Sequence, residues 1–243
     1  MILRLVLAIL LRKKLNFRNE ARESVADLIP PFQIIGEKYI PSGRRCVLTV
    51  NHYTRRGFHA WWFVLAISAV VPDQVHWVTT AAWKFPDPIR RRLFTPVTRW
   101  TFQHVAQVYG FTCMPPMPPD PSEAEARASA IRQVLAYIRH TDCPLVGLAP
   151  EGRDSTGIGL QSPPPGVGRF IMHLAHSGLE IAPIGAYEAG GSFYLHFGEP
   201  YNLVAPAGLS PRTYDCMISQ TVMEHIAALL PAELRGEFAV QTY

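Results

Sequence analysis

Pro144-Leu145-Val146-Gly147-Leu148-Ala149, followed at once by Pro150-Glu151-Gly152-Arg153-Asp154-Ser155, is the passage on which the fold class turns. An uncharged run ends abruptly in a carboxylate, a glycine and an arginine. Such a run, bounded by turn residues, reads as a buried strand that delivers charge to its tip. Pro, Gly, Asp and Ser are also ordinary loop punctuation, so the passage by itself equally describes a plain strand-to-loop turn. A second passage shifts that balance. Val47-Leu48-Thr49-Val50-Asn51-His52 is another apolar run, and it ends in an imidazole.

Working outward, the same alternation continues. Short strands are predicted over Phe32–Gly36, Arg45–Val50, His76–Thr80, Phe111–Met114, 144–149, Glu180–Tyr187 and Ser192–Phe197. Helices are predicted over Phe58–Val71, Asp87–Val108 and Phe170–His176, with Arg90, Arg91 and Arg92 on or near a solvated face. Ser122 with Glu125 has the form of a capping box, ahead of a core stripe at Ile131, Val134, Leu135 and Ile138. A last helix carries Ile218, Val222, Ile226 and Leu229 on one side. Helices alternating with short apolar strands mean an α/β fold with a mixed, partly parallel sheet. Ligands in such folds gather beyond the carboxyl ends of the strands, where His52 and Glu151 both fall. The proline-rich stretch 115–121 is a stiff surface loop and no domain boundary, because the strand–helix rhythm runs on beyond it.

Composition narrows the function. The chain has 243 residues, 48% hydrophobic and 17% charged, enough for one large globular domain with a real core. A formal net charge of +4 fits an anionic partner, a membrane surface or a phosphorylated substrate. No dense Lys/Arg block points to nucleic acid. Cys46, Cys113, Cys143 and Cys216 form no C-x-x-C pair, so reduced thiols in a cytoplasmic protein are the expectation. Residues 1–11 are almost all apolar and are followed by Arg12, Lys13, Lys14, Arg18 and Arg22. The run is too short to cross a bilayer, which takes roughly 20 residues. Residues 1–30 therefore read either as a basic amphipathic segment lying on anionic lipid or as a helix docked on its own domain, residues 31–243.

A histidine at a strand tip suits a general base, since its unperturbed pKa lies near 6.5. Arg55 and Arg56 beside it read as a phosphate clamp or as a plain solvated loop. His173 and His176 lie three apart on one helix, but no third metal ligand accompanies them. Gly157-x-Gly159 and Gly166-x-Gly168 lack the ending of a phosphate-cradling loop. The five tryptophans divide between core packing and a membrane-facing surface.

Taken in order, Val50-Asn51-His52, Ala149-Pro150-Glu151-Gly152, Ile181-Ala182-Pro183-Ile184 and Phe197-Gly198-Glu199-Pro200 resemble the blocks of the PlsC-type glycerolipid acyltransferases, the lysophosphatidic acid acyltransferase superfamily. Gly36, Ile40 and Pro41 match the ends of the segment that commonly precedes the first block. The resemblance spans about residues 32–205. It implies a single-domain glycerolipid acyltransferase-like α/β fold, its mostly parallel sheet flanked by helices. It also implies acyl transfer from a thioester, acyl-CoA or acyl-carrier protein, to a hydroxyl of lysophosphatidic acid or a similar lysophospholipid. No cofactor and no metal are implied; the thioester is a substrate, and the setting is cytoplasmic, peripherally associated with a membrane surface. His52 would be the base, and Asn51, Arg55, Arg56, Glu151, Gly152 and Arg153 would hold the substrate.

The chain departs from the family pattern at several points. Gly57 stands where the family has the aspartate that orients the histidine, no arginine follows Gly110 closely, and Arg153 comes one place early. Lys38 replaces the glutamate of the leading segment. Losing an orienting carboxylate costs about 10⁴ in rate in a serine hydrolase, so an enzyme here needs a substitute. His59, Thr54, Asp73 and Asp154 are candidates, and Asp154 is preferred because it leaves the same strand tip as Glu151. The alternative is a catalytically silent protein that binds lipid or acyl thioester on the same fold.

Overall fold

The structure, a computed structural model, describes residues 2–26, 28, 31–54, 59–85, 87–117, 119–152, 159–204 and 208–239. The chain runs through α1 (Ile2–Leu10), α2 (Phe17–Val25), β1 (Gln33–Ile35), β2 (Cys46–Val50), α3 (Trp61–Val70), β3 (Val75–Thr80), α4 (Pro88–Tyr109), β4 (Thr112–Met114), α5 (Ala124–Arg139), β5 (Leu145–Leu148), α6 (Val167–His176), β6 (Glu180–Ala189), β7 (Ser192–Phe197) and α7 (Pro211–Ala227). The seven strands form one sheet in the order β1-β7-β6-β2-β5-β3-β4. Strands β2 to β6 are mutually parallel, while β7 folds back antiparallel on β6 and β1 runs parallel to β7.

Burial explains the order. All of β2 and all of β5 are buried, as expected for strands covered by helices on both faces. β7 alternates half-buried and buried positions and lies toward one edge, and the three-residue β1 and β4 end the sheet. Two apolar layers sandwich it. Cys46, Leu48 and Val50 of β2 pack with Phe63 and Ile67 of α3 and with Phe17 and Ala21 of α2. Val47, from the other face of β2, joins Val134 and Ile138 of α5, Ile171 and Leu174 of α6, and Val222 and Ile226 of α7. Each such side chain contributes about 1.5–3 kcal/mol on burial. Gly147 of β5 is needed for close approach, because a Cβ there would stand 2.5 Å from the Trp77 ring.

Local reading and structure differ in instructive places. The helix expected over Phe58–Val71 is seen from Trp61 to Val70, and residue 58 lies outside the described residues. The capping box at Ser122 and Glu125 is not what starts α5; Asp120 accepts from the Ser122 N–H at 2.9 Å and caps a short 3₁₀ turn ahead of the helix. α6 begins at Val167, three residues earlier than expected. Gly166 has no side chain with which to cap it, so Asp215 of α7 accepts from the Gly166 and Arg169 N–H groups at 2.6 and 2.8 Å. That cap comes from a distant helix, which no local pattern records. No helix among the described residues is long and apolar enough to cross a membrane.

His76 opens a pH dependence. Its ring is 8% exposed, stacks on Tyr137 with centroids 4.2 Å apart and lies 2.9 Å from Thr112 Oγ1. Burial pushes its pKa down to about 4. Unfolding returns the ring to its ordinary value near 6.5. The stability contributed by the neutral ring is therefore complete above pH 6.5 and is lost as the pH falls toward 4. Urea unfolding is expected to show about 2 kcal/mol less stability at about pH 5 than at neutral pH from this group alone. His76→Phe, which preserves the stack, is expected to flatten that slope.

Candidate active site

The site is built by strand register. β2 pairs with β5 from Cys46↔Leu145 to Thr49↔Leu148, so the step beyond both ladders sets His52 beside Glu151. On its other side β2 pairs with β6 up to Val50↔Ile184. The two tips singled out in the sequence therefore meet at the carboxyl edge of the parallel strands, 99 residues apart in the chain.

Glu151 is the knot. It is 2% exposed. Its Oε2 accepts from the backbone N–H of His52 at 2.6 Å, and its Oε1 accepts from the backbone N–H of Gln161 at 2.9 Å. One carboxylate thus holds the β2 tip, the β5 tip and the loop that returns toward α6. Hydrogen bonds to a charged acceptor are the strong ones, and a carboxylate can accept from both sides at once. Gly152 follows with φ +64°, its N–H bonded to the Ala149 carbonyl at 3.1 Å; glycine adopts this left-handed turn at no steric cost.

Asn51 makes the second tie. Its Nδ2 donates to the Ala186 carbonyl at 2.8 Å, and its Oδ1 accepts from the Ala186 N–H at 2.7 Å. A side-chain amide carries the same donor and acceptor as a peptide group, so Asn51 extends the β2–β6 ladder past the last backbone pair. Tyr53, on the far side of His52, sets its ring edge-on to Phe63 of α3 at 5.9 Å. The His52 backbone is thereby held on both sides, and the Nδ1 edge of its ring is shut off from solvent.

Sequence reasoning placed Asn51, Glu151 and Gly152 among the substrate-holding residues. The bonds of Asn51 and Glu151 given above run to backbone groups. Nothing local to either residue announces these bonds, since Ala186 lies 135 residues from Asn51 and Gln161 is bound through its backbone. Arg55, Arg56 and Gly57, with Arg153 and Asp154, lie outside the described residues.

Two of the substitutes for the missing orienting group are corrected. Asp73 stands ahead of β3, at the opposite end of the sheet from His52, where it accepts from the Gly43 N–H at 2.8 Å. Thr54 Oγ1 is buried and bonds to none of the described residues, so it does not orient the imidazole. His59 is exposed just before α3. A groove of about 800 Å³ lies at the Asp73 end, lined also by Lys14, Asn16, His76, Tyr109 and Tyr137, and it is remote from His52. Among the described residues no cluster of three or more His, Cys, Asp or Glu is placed to hold a metal.

No known family model matches the sequence, and no curated protein matches it either. Among solved structures the chain is similar to the 1-acyl-sn-glycerophosphate (LPA) acyltransferase PlsC from Thermotoga maritima, with a TM-score of 0.51 and 13% identity, over 88% of this chain and 78% of that one. The two share a fold. At this identity the likeness speaks of architecture: one α/β domain with a mostly parallel seven-stranded sheet flanked by helices.

The Glu151 knot is directly testable. Glu151→Gln replaces one acceptor oxygen with an NH₂ donor and sets it against a backbone N–H. Leaving a buried amide unsatisfied is expected to cost about 1–3 kcal/mol. Chemical denaturation checks this, and an unchanged midpoint would show that the carboxylate is not the tie.

Proposed function

We propose that this chain is an acyltransferase that moves a fatty acyl group from an acyl thioester, acyl-CoA or acyl-carrier protein, to a hydroxyl of lysophosphatidic acid or a similar lysophospholipid. The observation that carries the reading is the junction of the β2 and β5 tips. A histidine is held there by a buried carboxylate, on a fold shared with an enzyme named for that reaction.

The chemistry runs through His52. With Nδ1 turned inward, Nε2 is the atom that meets the acceptor. It takes the hydroxyl proton as the oxygen attacks the thioester carbonyl. A tetrahedral intermediate collapses, the C–S bond breaks, and the proton returns from the imidazolium to the leaving thiolate. His52 thus ends as it began, and a general base of this kind contributes about 10²–10⁴ in rate. Arg55, Arg56 and Arg153 flank the two tips in the chain and are the cations assigned to the lipid phosphate. Asp154 is assigned to orient the imidazole in place of the carboxylate missing at Gly57. The enzyme works in the cytoplasm at a membrane surface, where the exposed Leu3, Val6, Leu7 and Leu10 of α1 contact lipid.

Gly57 motivates a second reading, a silent binder of lipid or acyl thioester on the same fold. One experiment separates the two. Acyl transfer from acyl-CoA and from acyl-carrier protein to lysophosphatidic acid is measured for the parent and for His52→Ala. A fall of about 10² or more in kcat/KM at unchanged thermal stability is expected. Equal rates remove His52 from the reaction. Saturable binding of acyl-CoA or lysolipid with no turnover in the parent establishes the silent binder.

A further inference from the structure

The first turns of helix α4 present a large apolar stripe to the outside, while its last turns bury Ala106, Val108 and Tyr109. On the side away from the stripe, Thr95 Oγ1 donates to the Trp83 carbonyl at 2.9 Å, and Thr98 Oγ1 accepts from the Trp83 N–H at 3.2 Å. Ile89, Leu93, Phe94, Val97 and Trp100 are each between 51% and 71% exposed. At about 100° per residue Ile89, Leu93, Val97 and Trp100 fall within an arc of about 80°, roughly opposite Thr95 and Thr98. A surface helix of a globular protein normally turns such a stripe inward, so this one is made for an apolar medium outside the domain.

Trp83 lies on the opposite side of the helix, where its ring sits edge-on to Phe102 at 5.1 Å. α1 packs against α4. Cations border the stripe: Arg92 and Arg99 lie to one side of the wheel and Arg90 to the other, while Arg91 is exposed on the opposite side. Two acids approach them loosely, Asp87 at 3.8 Å from Arg90 and Glu123 at 3.7 Å from Arg99. α4 begins eight residues after the carboxyl end of β3, at the sheet edge that holds His52.

We propose that the outward stripe of α4 docks the protein on an anionic lipid bilayer. The helix lies in the interface, its apolar residues enter the headgroup boundary, and Arg90, Arg92 and Arg99 reach up to lipid phosphates. Charge selects the occupant. A second copy on this face would set the same arginines against each other. An anionic surface neutralises them while accepting the stripe. This surface is larger than α1 alone and stands whether or not the acyl-transfer reading holds.

The test uses the full chain and two kinds of vesicle, phosphatidylcholine alone and phosphatidylcholine with phosphatidylglycerol, in a flotation assay that needs no turnover. The parent is expected to float with the anionic vesicles. Leu93→Glu with Val97→Glu is expected to lower the bound fraction roughly tenfold or more, with circular dichroism and thermal unfolding unchanged because both residues are exposed. Arg90→Gln, Arg92→Gln and Arg99→Gln together are expected to remove the preference for phosphatidylglycerol. Leu3→Glu with Leu7→Glu in α1 serves as comparator. Parent-like flotation of the α4 variant overturns the proposal, whatever the α1 variant does. So does a parent that floats with neither vesicle, or a parent dimer that the α4 variant converts to monomer in light scattering without loss of flotation.

Discussion

A single buried carboxylate organises the end of the sheet. Glu151 is almost fully withdrawn from water, and burying a charge is costly unless hydrogen bonds replace its hydration. Two backbone N–H groups from different segments supply them. The arrangement is reciprocal. The amides beyond the last ladder pair of β2 and in the loop before α6 need an acceptor, and the acid needs donors. Position and chemistry are therefore coupled: the residue that satisfies Glu151 is the one carrying the imidazole.

The topology makes this junction central. β2 lies between β5 and β6 although the chain visits β3 and β4 before β5. Its tip is consequently gripped from both neighbours, by Glu151 on one side and by the Asn51–Ala186 pair on the other. Parallel strands made of continuous apolar runs tolerate no slippage here, because a one-residue shift would exchange the inward sets facing the two helical layers. A packed core thus places the imidazole at the end of β2, gripped from both neighbouring strands.

The first turns of α4 add an outward apolar stripe to that arrangement. The edge that carries His52 and the start of α4 share one end of the sheet. The basic run Arg90-Arg91-Arg92 read as a solvated face in the sequence. It is solvated, and Arg90 and Arg92 border the outward stripe. Amphipathic periodicity is blind to direction: it marks an apolar side and does not say whether protein or lipid covers it.

Much of the fold was legible from residues alone. Continuous apolar runs ending in charge are what buried parallel strands require, and their alternation with amphipathic helices leaves few other architectures. The tips at Asn51-His52 and Glu151-Gly152 were readable as well, because turn chemistry is local. What the tertiary structure alone decided is who meets whom. Glu151 accepts from the His52 amide because register sets the two tips side by side. Asn51 became a clamp when β6 passed within reach, Asp215 became the cap of a helix 49 residues away, and Asp73 was removed to the far end of the sheet. Strand composition dictates that strands form. Their order across the sheet is set by packing the whole chain at once, and every contact at the candidate site depends on that order.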